Sequence, residues 1–437
     1  MLIYLMLLVG SVCLGTELFA LETPFLQITL YRVLSLGFVP LFLYRIYQKD
    51  PRLTFDRRNM ATGVVGVYVF WLLWAFISGA WAWQFRQWFQ STFLIALGVF
   101  SILALYFWLR DTRSWQRVMQ VFWLMQCLLI LWGLYEILTN HYVFADLAKL
   151  DKHNIFASNP WNRIPITVFE NQNDYATFLL AGFPVSFILA GLSQSFGKKV
   201  LYLLPSLLSV FLIFRSESRM ILLSVLLFFV IYLAFQVRWD LRRQTLLKVG
   251  GIALIVLLAL VVFLPPLRAK VASLVYIGGN LLLTGDVVRL NLWRNGLIFL
   301  AASLGLGVGA GNIEPWMRWT DLLPIKEITN MHNWWLEILV AYGMVVFILY
   351  VMAYCALLYK LWTSRYAVPA RYRNVNHCFI AFLLVFIPAS ITSANNILIE
   401  WHWVFFGLLI SYVNIMETAL RQDLPEPVYF DKMEVSP

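Results

Sequence analysis

Two arginines in a very short connection between apolar runs are the first residues here able to do chemistry. Phe214-Arg215-Ser216-Glu217-Ser218-Arg219-Met220 makes up the whole link. Arg215 and Arg219 are four apart and share one helix face if helix continues through the turn. The ordinary role for such residues is snorkelling to lipid headgroups or pairing with Glu217. The chemical role is a fixed cationic clamp for a diphosphate, which suits planar, always-charged guanidinium groups. Charges at membrane depth are functional by default.

A second group follows at Thr284-Gly285-Asp286-Val287-Val288-Arg289-Leu290-Asn291-Leu292-Trp293. Helical spacing puts Asp286, Arg289 and Trp293 on one face, with Asp286 in a first turn that favours a carboxylate. Alone, this reads as a local salt bridge on an amphipathic outer helix. The run Gly305-Leu306-Gly307-Val308-Gly309-Ala310-Gly311-Asn312 comes next. Glycine-rich backbone can cradle phosphate, but no strand precedes it and no Gly-Lys-Ser ends it, so nucleotide motifs are rejected. A tight turn near the bilayer surface is the simpler expectation.

The strongest local signal is Asn330-Met331-His332-Asn333-Trp334-Trp335-Leu336-Glu337. A histidine beside aromatics is usually an interface residue. Here Asn333 is placed to cap the entering helix, with His332 just outside it and open to water. The helix N-terminus and nearby arginines favour a neutral, proton-accepting imidazole, while a bound diphosphate pulls the other way. Arg32 lies roughly 9 Å below the outer end of its span at 1.5 Å per residue. It either meets a lipid phosphate from below or snorkels outward. The five histidines show no ligand spacing, so no metal is expected.

These residues need elements to position them, and composition names the kind. Of 437 residues 61% are hydrophobic and 13% charged, far from the roughly 25% charged of soluble proteins. A single soluble core cannot hide so much apolar surface. Long uninterrupted apolar runs point to helices rather than barrel strands. The expected fold is therefore an all-α integral membrane protein. Spans of about 20 residues are read near 2–20, 26–46, 61–80, 91–109, 118–138, 171–194, 199–214, 220–236, 249–264, 334–360, 376–392 and 397–418.

The net charge of +10 sits in short clusters between these runs. That is orientation charge with anionic lipid as its partner, not a nucleic-acid surface. With a cytoplasmic N-terminus, inner connections hold eighteen Lys and Arg against six in the short outer ones. Both termini are thus expected in the cytoplasm. The first twenty residues lack a basic start and a small-residue cleavage site and read as a retained span. Cys13, Cys127, Cys355 and Cys378 lie in apolar stretches without paired spacing. The organisation expected is a transmembrane domain over 1–420 and a short, polar, disordered cytoplasmic tail over 421–437. Inserted in the domain is a large extracytoplasmic loop over 265–333, with short helices lying against the outer face of the bundle. A smaller polar outer loop covers 139–169.

Taken together, the motifs resemble the O-antigen ligase and Wzy-type polymerase superfamily of bacterial envelope enzymes, its teichuronic-acid and exopolysaccharide members most of all. The likeness rests on Phe169-Glu170-Asn171-Gln172-Asn173-Asp174-Tyr175-Ala176, Ser218-Arg219, Asp286 through Trp293, Gly305 to Asn312, and His332-Asn333 through Gly343. Residues 1–168 and 344–437 match only as spans. The resemblance implies a GT-C-like fold with about twelve helices in the bacterial plasma membrane. It implies transfer of a glycan from undecaprenyl diphosphate to a sugar hydroxyl on the outer face, inverting, without metal, nucleotide or other cofactor. Polymerisation of repeat units is slightly favoured over ligation.

On this resemblance Arg219 and Arg289 fall on the family's arginines and His332 on its proposed general base, while Asn173 takes a positioning role. Arg215 joins the arginines by proximity. Asp286, Trp293, Asn333 and Arg32 are supporting candidates. The implied partners are the lipid-linked donor, a glycan acceptor, the bilayer and, as a further candidate, a chain-length regulator. Two other classes compete. A flippase for the same lipids places its charged site near the midplane, often in matching halves, and no such repeat is visible. A non-catalytic assembly subunit tolerates loss of His332.

Overall fold

The computed structural model describes residues 1–437 except 16, 17, 19, 24–26, 152, 153, 237–284, 321, 326, 392–398 and 422–437. The described residues form helices and turns, with one isolated bridge between Leu21 and Ile28. In chain order the main helices are α1 Leu2–Val12, α2 Leu30–Tyr47, α3 Met60–Ile77, α4 Phe85–Trp108, α5 Thr112–Thr139, α6 Gln172–Leu192 and α7 Phe196–Arg215. They continue as α8 Arg219–Gln236, α9 Gly285–Ala302, α10 Ile313–Trp319, α11 Trp334–Ser364, α12 Ala370–Ala389 and α13 Glu400–Arg421.

Ten of these helices are long and apolar enough to cross a membrane. They coincide with ten of the twelve spans read from the sequence. The ninth, 249–264, lies outside the described residues, as do Pro265 to Thr284 and the tail from 422. The first differs from expectation. α1 has only 11 residues, about 16 Å of helix against a hydrocarbon core of about 30 Å. It gives way to turns after Val12, where Gly15 takes a positive φ of 70° tight against Val168.

Side-chain caps start several helices. Thr29 accepts from the Arg32 amide, Asp111 from Ser114, Asn171 from Asn173 and Asp174, and Asn333 from Trp335 and Leu336. Leu73, Leu131, Leu207 and Val230 point outward and exposed, as lipid-facing residues do, while α6 and α13 are buried along most of their length. An aromatic core lies beneath the start of α11. There Trp71 meets Tyr342, Tyr350 and Trp403 with ring centroids 5.4–5.5 Å apart.

Tertiary bonds sort the helix termini onto two ends of the bundle. At one, Asn59 Nδ2 donates to Asn414 Oδ1 at 2.7 Å and Lys360 pairs with Glu417 at 3.1 Å. Tyr232, near the end of α8, donates to Asn374 at the start of α12. α8 and α12 therefore run antiparallel, and the start of α8 shares the opposite end with Ser390. There the Trp334 amide donates to the Ser390 carbonyl at 3.0 Å. Arg219 and His332 thus belong to the same end.

Candidate functional site

Arg219 opens α8 at the rim of a cleft of about 370 Å³ lined by Trp161, Phe214, Arg215, Glu217 and Leu222 among others. A tight turn creates it: Glu217 adopts a positive φ of 57° between α7 and α8, and Ser216 Oγ donates back to the Ile213 carbonyl. Arg219 is exposed and has no hydrogen bond or ion pair among the described residues. Glu217 is likewise exposed and pairs with neither arginine within 4 Å, so the local pairing considered for these residues is not made. The cleft holds two guanidinium groups against one carboxylate.

Arg215 has a different task. It is buried, and its Nη2 donates to the carbonyls of Pro160 at 2.7 Å and Arg163 at 2.8 Å. Its guanidinium carbon stands 5.3 Å from the Trp161 ring centroid. Arg163 in turn donates to the carbonyls of Ile137 and Leu138 at the end of α5. Arg215 therefore fastens the stretch from Pro160 to Arg163 onto the bundle. The charge remains at the cleft, with Nη2 taken up by these two carbonyls.

The His332 region is built by α9 and α11. Asn333 caps α11, accepting from the amides of Trp335 at 3.1 Å and Leu336 at 3.2 Å, as its position promised. His332 stands one residue outside, half-buried, in the left-handed region at φ 48°. For a residue with a Cβ that conformation is strained. Asn330 Oδ1 accepts from the His332 amide at 2.9 Å and closes the turn. Trp293 Nε1 donates to the Met331 carbonyl at 3.0 Å, so α9 grips the residue just before the histidine. Arg289, one turn earlier on α9, is partly exposed and makes no hydrogen bond or ion pair among the described residues. Asp286 is helical, but its side chain lies outside the described residues.

A narrow pocket borders this turn, lined by Gln87, Glu314, Asn330, Met331, Glu337 and Tyr342 among others. Its carboxylates and amides are groups that hydrogen-bond hydroxyls. Neither His332 nor Arg289 lines the Arg219 cleft, and among the described residues no hydrogen bond joins Arg219 to Arg289.

The glycine-rich run has no amides to spare for phosphate over most of its length. Val308 and Gly309 donate to the carbonyls of Val340 and Ala341 at 2.9 and 3.0 Å, and Met344 donates to Gly305 at 2.9 Å. Gly307 donates to Ser303 Oγ and Ala310 to Ser78 Oγ. α11 breaks at Gly343, with φ 81° and ψ 179°, and the run takes over hydrogen bonds that the helix gives up. α9 thus runs alongside the first third of α11.

Arg32 is buried among partners within the chain. Its Nε donates to Glu400 Oε1 at 2.6 Å in a buried ion pair, and its Nη1 to the Gln27 carbonyl at 2.6 Å. In the sixth-span motif, Asn171 rather than Asn173 organises the helix start: it caps α6 and donates to Asp174 Oδ2 at 2.6 Å. Asn173 is half-buried and contributes its backbone. Sequence reasoning missed Trp161, whose only local signal is Asn159-Pro160 ahead of it, and missed Glu400, which nothing nearby marks as the partner of Arg32.

Residues 204–351 match the profile of the O-antigen ligase family. The chain is also similar to the teichuronic acid biosynthesis protein TuaE of Bacillus subtilis (strain 168), at 25% identity over 433 residues, 97% of this chain and 86% of that protein. The expected resemblance to O-antigen ligases and Wzy-type polymerases is borne out, and the helices are those of a multi-pass membrane protein. The matched segment takes in Arg215, Arg219, Arg289, Trp293, the glycine-rich run, His332, Asn333 and Gly343. Arg32, Trp161 and Asn173 lie before it.

Proposed function

We propose that this chain is a membrane glycosyltransferase that moves a glycan from undecaprenyl diphosphate to a sugar hydroxyl on the extracytoplasmic face of a bacterial plasma membrane. Both termini are cytoplasmic in this reading, because the end of the bundle opposite Arg219 and His332 carries the clusters around Arg57, Arg110, Lys198 and Arg373. The observation that carries the proposal is an exposed Arg219, with no ion pair among the described residues, in a cleft on the same end as a half-buried, backbone-clamped His332, both inside the segment that matches the O-antigen ligase family.

The chemistry is one displacement at the anomeric carbon. The acceptor oxygen attacks, the bond from that carbon to the diphosphate oxygen breaks, and the hydroxyl proton passes to His332. Arg219 and Arg289 stabilise charge growing on the diphosphate leaving group, and inversion follows from a single step. No metal or nucleotide is required. Asn333 and Trp293 hold the histidine in place.

Polymerisation of lipid-linked repeat units is favoured over ligation to another acceptor, because the Bacillus relative is named for teichuronic acid biosynthesis. The assay is purified protein with an undecaprenyl-diphosphate oligosaccharide, chelator and no nucleotide, its products resolved by glycan length. A ladder of longer lipid-linked chains is the expected result. Consumption of donor only after envelope extract is added makes it a ligase. Movement of donor across a liposome bilayer without transfer makes it a flippase.

A further inference from the structure

Trp161 forms one wall of the Arg219 cleft, and the chain goes to some length to keep it there. Pro160 opens a 3-10 turn over Pro160–Asn162 with its φ already fixed. Asn159 Oδ1 accepts from the Trp161 amide at 3.1 Å. Arg215, itself buried, ties down both flanks of the turn through the Pro160 and Arg163 carbonyls. The result is a rigid turn carrying an indole that is 73% exposed. Arg215 approaches the ring at 5.3 Å, which leaves most of the indole surface open.

A large exposed aromatic normally loses stability by facing water, and a tryptophan at a bilayer surface often serves as an anchor. An anchor needs neither a fixed turn nor a place in the wall of a cleft. What Trp161 offers is a preorganised flat apolar surface beside the exposed guanidinium of Arg219. That pairing suits a ligand with an apolar ring face next to a phosphate. A pyranose joined to a diphosphate is such a ligand: its axial C–H face is apolar, its hydroxyl rim is polar, and Glu217 in the same cleft can accept from that rim. The cleft volume of about 370 Å³ falls within the usual range for small-molecule sites, roughly 300–1,000 Å³.

We propose that Trp161 is the stacking platform for the first sugar of the lipid-linked donor, while Arg219 holds the adjoining diphosphate. This rests on the reading that the cleft takes a diphosphate-linked glycan. It makes Trp161 a sugar-specificity residue supplied from outside the segment that matches the O-antigen ligase family.

The test measures binding to the purified full-length chain in nanodiscs of two lipids, undecaprenyl diphosphate bearing the oligosaccharide and undecaprenyl diphosphate alone. Trp161→Leu is expected to weaken binding of the glycan-bearing lipid about tenfold and leave the bare lipid within twofold. Retained binding of the bare lipid also shows that the variant is folded. Trp161→Tyr is expected to recover most of the loss, and Arg219→Ala to weaken both lipids. If Trp161→Leu weakens both lipids equally, or neither, the platform is overturned while the donor reading stands. If the wild-type chain binds neither lipid, the donor reading falls and the platform with it.

Discussion

Arg32, Arg215 and Arg219 carry the same guanidinium, and their surroundings give each a different task. Arg32 is enclosed with Glu400, both side chains about one-tenth exposed. Removing one partner of such a pair leaves a buried charge and costs about 3–5 kcal/mol, whereas replacing both with apolar residues is often near neutral. Arg32→Met is therefore expected to lower the Tm sharply, and Arg32→Met with Glu400→Met to recover most of it and still bind donor. A double variant that is stable but no longer binds donor would return Arg32 to the site. The sequence could not reveal this pairing, since the partner lies 368 residues away and an arginine's type says nothing of who meets it. Arg215 hides its role for a related reason: its acceptors are loop carbonyls, which any sequence supplies. Asn333 was legible because a cap acts on residues two and three positions ahead of it. The clamp around His332 was half legible. Asn330 is two residues from His332, but the hold of Trp293 on Met331 crosses from another helix. Trp293→Phe keeps an aromatic ring, though a smaller one, and removes that donor, the lost bond costing about 0.5–1.5 kcal/mol. Transfer should fall several-fold with donor binding unchanged; an unchanged rate would mean that the turn holds itself.

The elements show where glycine replaces side-chain chemistry. A Cβ on Gly343 would lie 2.4 Å from the Gly305 carbonyl oxygen, and one on Gly307 would lie 2.5 Å from the Gly343 amide nitrogen. Two stretches of backbone touch here, and neither tolerates a side chain. Gly343 also has a φ and ψ combination that is nearly glycine-only and costs other residues about 1–3 kcal/mol before any clash. Gly343→Ala should therefore give a strongly destabilised protein, while Gly66→Ala in α3, where a Cβ meets nothing within 4 Å, should be neutral by the same thermal unfolding measurement. Equal Tm values for the two would contradict the backbone contact. The sequence showed a tight turn at Gly305–Asn312, and a turn it is. Its partner was not visible, because the break in α11 at Gly343 sits inside an uninterrupted apolar run with no proline to mark it. The spans were legible for the opposite reason: hydropathy over about 20 residues is a local property, and lipid imposes helix on it. α1 is the exception, since an apolar stretch does not say where it turns.

At the scale of the molecule, the two ends of the bundle divide the labour. One end is basic and cross-tied by Asn59, Lys360 and Glu417; the other carries the Arg219 cleft, the fastened stretch from Pro160 to Arg163 and the His332 turn. With native cysteines replaced, a cysteine at Glu217 should be labelled by an impermeant maleimide in intact cells and one at Arg57 only after lysis. The reverse pattern would invert the orientation. The twelve-span reading, charge bias and motif order were enough to find the family, but they could not say which charged groups remain free, because that depends on contacts between distant segments. His332 carries the account's central claim. The most direct test is the initial rate of glycan transfer from undecaprenyl-diphosphate oligosaccharide by wild-type protein and by His332→Ala, compared at equal Tm and equal donor binding. A general base contributes about 10²- to 10⁴-fold, so the variant should be slower by at least about a hundredfold. A His332→Ala protein that turns over at the wild-type rate would contradict the account.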